Sequence, residues 1–265
     1  MNHDIITLVR DPANILGKRF SFDANGNVVK QTAVSTAFAE AIQYHVPDVA
    51  TLQQVLRLAA EDPHAAIINS AFPLVPVGQL FLILSESKFV ELGFKRNDKA
   101  LTWPVALTHK GRTYPALGRF TEHTASSSWV LLDRDIDKYT PHEFAHLSYE
   151  NWLVAVDKLL PGILSCARLR AHSSSARVTF DGGQPAGAGN GHTWVQVAEP
   201  ADIERMRQSI LPRAITMGMA WLKPKYDRTT GVICGQSPTT IVDPAVFVQG
   251  RLVFAGKPEV SHANL

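Results

Sequence analysis

The chain has 265 residues, 45% hydrophobic and 19% charged, with 26 Lys and Arg against 24 Asp and Glu for a net charge of +2. That length suits one large domain or two small ones and buries a core without staples, and ordinary contents of Gly (17) and Pro (16) exclude a disordered or collagen-like chain. The small positive charge permits a nucleic-acid partner through a local patch without demanding one.

In chain order, the first ten residues carry Asp4 and lack a long apolar core, so no secretory leader is expected there. Residues 17–32 predict a hairpin, because two runs with apolar alternation flank Asn25-Gly26, a pair suited to the positive-φ turn. Two helices are expected next, over 34–46 and 51–61, then a short buried strand over 66–70. Residues 103–116 predict a second hairpin turning at Lys110-Gly111, and Trp129-Val130-Leu131-Leu132 suits a central strand. Thr140 as N-cap and Pro141 at the first helical position predict a helix running to about Leu160. Strands are expected over 165–171 and 192–198, a helix over 200–217, and strands over 219–224, 240–242 and 246–254. Cys166 and Cys234 stand far apart with no CxxC partner, which excludes a disulfide framework or a cysteine zinc site and predicts a reducing cytoplasm. No apolar run reaches the roughly 18 residues of a membrane span. The irregular alternation of strands and helices predicts an α+β or mixed α/β chain rather than a doubly wound sheet.

Three segments bear chemistry. In residues 130–141, Asp133, Asp135 and Asp137 alternate at the end of an apolar strand, so at least Asp133 and Asp135 aim at one side. Adjacent carboxylates repel unless a cation lies between them, and oxygen ligands suit Mg²⁺ or Mn²⁺. The bland alternative is a solvated strand end whose aspartates cap turns. In residues 173–197, Ser173, Ser174, Ser175 and Arg177 precede a glycine-rich loop and His192, a donor set that grips polyphosphate. The alternative is a plain surface loop; the loop lacks the GK[ST] of a P-loop. In residues 239–260, Asp243 follows a short apolar strand and offers a third carboxylate, or simply starts an Asp-Pro turn.

In this order the three segments resemble the archaeo-eukaryotic primase superfamily, in its phage and plasmid primase-polymerase branch. Val130-Leu131-Leu132-Asp133-Arg134-Asp135 matches its hhhDhD motif, Ser173 to Arg177 with Gly191-His192 the Ser/His motif, and Ile241-Val242-Asp243 the closing strand with Asp. The likeness covers about residues 130–254. It implies an α+β fold with a mostly antiparallel or mixed sheet core of the primase type, flanking helices and an N-terminal helical or hairpin region. It divides the chain into an accessory α/β region over 1–100, separate or part of the same domain, and a catalytic core over 101–265. It implies that Asp133, Asp135 and Asp243 hold two Mg²⁺ or Mn²⁺ ions, and that His192 binds the nucleotide triphosphate with Ser174, Ser175 and Arg177. One departure is that Asn190 stands where the compact Ser/His motif has its serine. The activity implied is DNA primase or polymerase, a nucleotidyltransferase joining dNTPs or NTPs on single-stranded or primed DNA during phage or plasmid replication. The partners implied include a replicative helicase, in trans or as a further domain, and no membrane. Lys223, Lys225, Arg228 and Arg251 are candidates for DNA phosphates, as are Arg205, Arg207 and Arg213 on the helix over 200–217.

Two rival readings remain. One is a DNA-binding replication module without catalysis, in which the carboxylates are structural. The other is a zinc protease, because residues 142–146 spell His-Glu-Phe-Ala-His. That match sits directly after Thr140-Pro141, and Tyr149 stands where the extended motif has glycine.

Overall fold

The computed structural model describes residues 4–23, 28–31, 36–95, 102–172, 190–227 and 229–260. Its first part is built mostly of strands: β1 (Ile5–Arg10), β2 (Arg19–Phe22), β3 (Val28–Gln31), β4 (Phe38–His45), then α1 (Val49–Glu61), β5 (Ala65–Ile68), β6 (Ser70–Ala71), β7 (Leu80–Leu84) and α2 (Glu86–Glu91). β8 (Val105–His109), β9 (Arg112–Gly118), β10 (Ala125–Ser126) and β11 (Trp129–Arg134) lead into α3 (His142–Ala145) and α4 (Tyr149–Leu159). β12 (Arg168–Ala171), β13 (Gly191–Gln196), α5 (Ile203–Thr216), β14 (Ala220–Tyr226), β15 (Ile233–Thr240), β16 (Leu252–Val253) and β17 (Glu259–Val260) complete it.

The largest sheet has seven strands in the order β16-β5-β1-β4-β7-β9-β8. Its neighbours are antiparallel except for the parallel pair β7–β9, so the fold is α+β with a large mixed sheet. Both expected hairpins form: β2 pairs with β3, and β8 with β9 through Lys110 (φ 49°) and Gly111 (φ 75°). The tip at Asn25-Gly26 lies outside the described residues. α1 forms as expected, with Asp48 capping Thr51 N–H at 2.7 Å and Leu52, Val55, Leu56 and Ala59 buried. The site sheet is separate: three antiparallel strands ordered β11-β13-β12.

Three expectations are corrected. The helix expected over 34–46 is a strand in its described part, β4. Its burial alternates, with Ala39, Ala41 and Gln43 turned inward, and it lies between β1 and β7. Gln43 spends its amide across the turn that follows β6, donating to the carbonyls of Phe72 and Val75 and accepting from Phe72 N–H at 2.6 Å. Pairing on both edges overrides local preference. The single helix expected from Thr140 is two. Thr140 belongs to a turn, its hydroxyl accepting from Asp137 N–H, and α3 is one turn that starts after Pro141. The buried Arg134 takes the carbonyl of Leu147 at 2.6 Å, and Ser148 caps α4 through Asn151 N–H. Finally, β15 ends at Thr240, and the strand expected over 246–254 is reduced to Leu252–Val253. Pro244 has no N–H to extend a ladder, so Pro244–Phe247 forms a short 3₁₀ turn instead.

One core cluster runs through both parts of the sequence. Ile6, Val46 and Leu52 pack in it with Trp129, Trp152, Trp194 and Phe247. Two indoles also tie backbone segments together: Trp129 donates to Val46 O at 2.7 Å and Trp152 to Ile241 O at 2.8 Å. The first fixes β11 to the end of β4, and the second fixes α4 to the segment that carries Asp243. Among the described residues no helix is long and apolar enough to cross a membrane.

Candidate active site

Trp129 to Leu132 are buried, but β11 is not the central strand expected from them: it lies at one edge of the three-stranded sheet, and its end reaches a cavity. The register sets the site. Asp133 stands directly opposite His192, and Leu131 opposite Trp194, so each pair projects to one face of the sheet. Nε2 of His192 lies 3.8 Å from Oδ1 of Asp133. Asp243 reaches the same place because its N–H bonds to Asp133 O at 3.4 Å. Asp133, Asp135, His192 and Asp243 thus line one cavity of about 280 Å³, together with Lys18 and Arg251.

The electrostatics are asymmetric. Burial, with the charge of Lys18 adding to it, lowers the His192 pKa to about 4, so the imidazole is neutral near pH 7. At 3.8 Å it is too far from Asp133 for a hydrogen bond. His192 also lines a second cavity, about 190 Å³, whose other walls include Arg57, Arg170 and His172. The imidazole therefore separates a carboxylate-lined hollow from a basic one. Arg134, between the aspartates in sequence, also lines the cavity but turns its guanidinium to Trp152: its Cζ sits 5.9 Å from that ring centroid, and burial, with repulsion from Arg170, lowers its pKa.

Carboxylate oxygens are the donors Mg²⁺ and Mn²⁺ prefer. Two of the three carboxylates are already hydrogen-bonded, one to a residue far along the chain and one within its own turn. Asp135 Oδ1 accepts from Asn190 Nδ2 at 3.2 Å, and Asp243 Oδ1 from Ala245 N–H at 2.8 Å, the geometry of an Asp-Pro turn. As the side chains lie, no group of three His, Cys, Asp or Glu among the described residues is disposed to hold a metal ion. The donor chemistry fits the cation, and these amide bonds of Asp135 and Asp243 each use one carboxylate oxygen.

The remaining expected residues are dispersed. Ser174, Ser175, Arg177 and Arg228 lie outside the described residues. Arg251 is exposed at the cavity. Lys223 is ion-paired with Asp137, and Lys225 is exposed on β14. Burial raises the Asp137 pKa, but the hydrogen bonds from Lys223 and Tyr139 N–H outweigh it and leave the carboxyl below its ordinary range. Arg205 and Arg207 pair with Asp202 and Glu204 within α5 and its first turn, and Arg213 donates to Lys158 O. His142 and His146 bring their rings within 4.2 Å on the one-turn helix α3, and no third ligand joins them among the described residues. A larger cavity, about 400 Å³, opens between the segment that follows α4 and α5, and contains none of the acidic or histidine residues of the motifs.

Two site residues escaped the sequence reading. Asn190 not only holds Asp135 but accepts from Ile136 N–H at 2.7 Å, clamping the end of β11 to the start of β13. Its signal was its place two residues before His192, where the compact Ser/His motif has its serine. Lys18 had no such signal, since it enters from the far N-terminal hairpin.

Comparison with family models, with curated proteins and with solved structures gives no match to this chain.

Proposed function

We propose that the chain is a DNA primase-polymerase, a nucleotidyltransferase that joins dNTPs or NTPs to a strand on a DNA template, acting in the cytoplasm during phage or plasmid replication. The observation that carries this reading is the convergence of Asp133, Asp135, His192 and Asp243, from three separate stretches of sequence, on one cavity. In the reaction the 3′-oxygen of the growing strand attacks the α-phosphorus of the nucleotide, a phosphodiester forms and pyrophosphate leaves. Mg²⁺ or Mn²⁺ held by Asp133, Asp135 and Asp243 would supply charge neutralisation and a more acidic 3′-hydroxyl. Neutral His192 offers one N–H to a phosphate oxygen without a counter-charge to release. Arg251 brings a planar fork of donors to the mouth, suited to phosphate. Arg57 and Arg170 lie on the far side of His192, where the polyphosphate tail would extend.

The test is template-directed synthesis on single-stranded DNA, with and without primer, supplying labelled dNTPs or NTPs and Mg²⁺ or Mn²⁺. Wild type is expected to give product, and the Asp133→Ala/Asp135→Ala variant to lose at least about 100-fold in rate, the scale of losing preorganised charge stabilisation. Product without primer identifies a primase. One observation favours a second reading, a DNA-binding replication module: Asp135 and Asp243 are already engaged in hydrogen bonds to Asn190 and to Ala245 N–H. A module of that kind binds DNA without divalent metal, never extends it, and tolerates the double variant.

A further inference from the structure

β14 and β15 pair only with each other among the described residues, forming a two-stranded ribbon beside the site. Its root is anchored: Trp221 stacks on Phe144 with ring centroids 5.6 Å apart, and Lys223 is ion-paired to Asp137. Further out, the hydroxyl of Tyr226 meets that of Tyr139 at 2.5 Å. Tyr139 lies a few residues past Asp135, so the two phenol rings stand where the chain leaves the carboxylate cavity. Tyr226 remains 45% exposed. The ammonium of Lys138 lies 5.1 Å from the Tyr139 ring centroid. Lys225 is exposed and has no carboxylate partner among the described residues. The nearby carboxylate of Asp227 is occupied by the amides of Thr229 and Thr230.

We propose that this ribbon and the loop after β11 form a clamp for single-stranded nucleic acid, with Tyr139 and Tyr226 as the platform for an unpaired base and Lys138 and Lys225 on its phosphates. The proposal rests on the nucleotidyltransferase reading of the adjacent cavity and names how that site holds its strand. Tyr226 is exposed and Tyr139 half-buried, and accessible aromatic rings interleaved with lysines are what sequence-tolerant strand binding requires: every base has a face to stack, and every backbone has charge to neutralise. Leu222 and Ile233, 60% and 57% exposed, leave the ribbon an apolar skin that an edge open to water does not otherwise explain. A second copy of the chain fits less well. A two-fold contact across this surface sets the lysines of one copy near those of the other.

The experiment is fluorescence anisotropy of a labelled single-stranded oligonucleotide, in EDTA so that no chemistry intervenes. Wild type is expected to bind it in preference to the same sequence as duplex. Tyr226→Ala and Tyr139→Ala should each weaken binding about 5- to 100-fold, the range of base–aromatic stacking. Tyr226→Phe keeps the ring and should stay within about twofold of wild type, and Lys225→Gln should lower the salt slope by about one. Photo-crosslinking from an iodouracil-substituted strand should label the two tyrosines, and melting curves establish that each variant is folded. Unchanged binding by Tyr226→Ala, equal losses in the Phe and Ala variants, or no wild-type preference for single strands overturns the proposal. A dimer that Tyr226→Ala dissolves while strand binding is unchanged gives the ribbon to a second copy and also overturns it. If synthesis fails but tyrosine-dependent binding stands, the nucleotidyltransferase reading falls and the clamp survives. If synthesis stands and Tyr226→Ala binds as wild type does, only the clamp falls.

Discussion

His192 carries the strongest electrostatic signature in the site, and the sign of its effect on stability follows from burial. Its folded pKa is about 4, against roughly 6.5 for an exposed histidine. Between those values the unfolded chain binds a proton that the native chain refuses, so stability rises with pH across that window and is complete above it. The full contribution is about 3 kcal/mol at most. Urea unfolding at a series of pH values in EDTA should show this limb in wild type and its loss in His192→Gln. An equal slope in both would mean that another group sets it. The same residue shows what one position of sequence conveys. Alternation along β11 was readable and pointed to Asp133 and Asp135, whereas Asp243 and His192 became candidates through the family resemblance of their motifs. Whether Asp135 and Asp243 point at a ligand or at local amides was not readable, because both bonds depend on chain segments remote in sequence or on the turn each residue starts.

At the level of elements, the break between α3 and α4 is set by competition for one carbonyl. Arg134 removes Leu147 O from any continuing helix, and the extended backbone of Ser148 starts a new one. Ser148→Ala should cost about 1 kcal/mol by stranding Asn151 N–H, read as a shift of the urea midpoint without a change in slope. A loss much below that would place the break elsewhere. The hairpins were legible because Asn25-Gly26 and Lys110-Gly111 carry turn chemistry in the residues themselves, and α1 because its apolar spacing and Asp48 cap are local. β4 was not legible as a strand, since its character comes from two partners: β1, which precedes it by a full hairpin, and β7, which lies beyond α1.

For the whole molecule, the division at residue 100 meets a continuous sheet and a continuous core. β1, β4, β5 and β7 lie between β16 on one side and β9 on the other, and Ile6 and Leu52 share their cluster with Trp129 and Trp152. Residues 101–265 expressed alone should therefore lack cooperative unfolding and show loss of near-ultraviolet dichroism. A sharp melting transition in that fragment would show that it holds a core of its own. Lys18, from the N-terminal hairpin, reaches the carboxylate cavity, so the segment in which the sequence shows no chemistry contributes a wall of the site.

By itself the sequence determined the α+β class, both hairpins and α1, which follow from period, turn residues and caps acting over a few neighbours. It offered the carboxylates and the histidine as candidates, through the resemblance of their motifs. The tertiary structure alone decided that Asp243 bonds to the backbone of Asp133, that Asn190 and Lys18 belong to the site, that Lys223 serves Asp137, and that residues 1–100 complete the core. Each of these is a contact between segments far apart in the chain. Such contacts depend on which strands pair and which apolar faces close on one another, and composition and local spacing do not encode them.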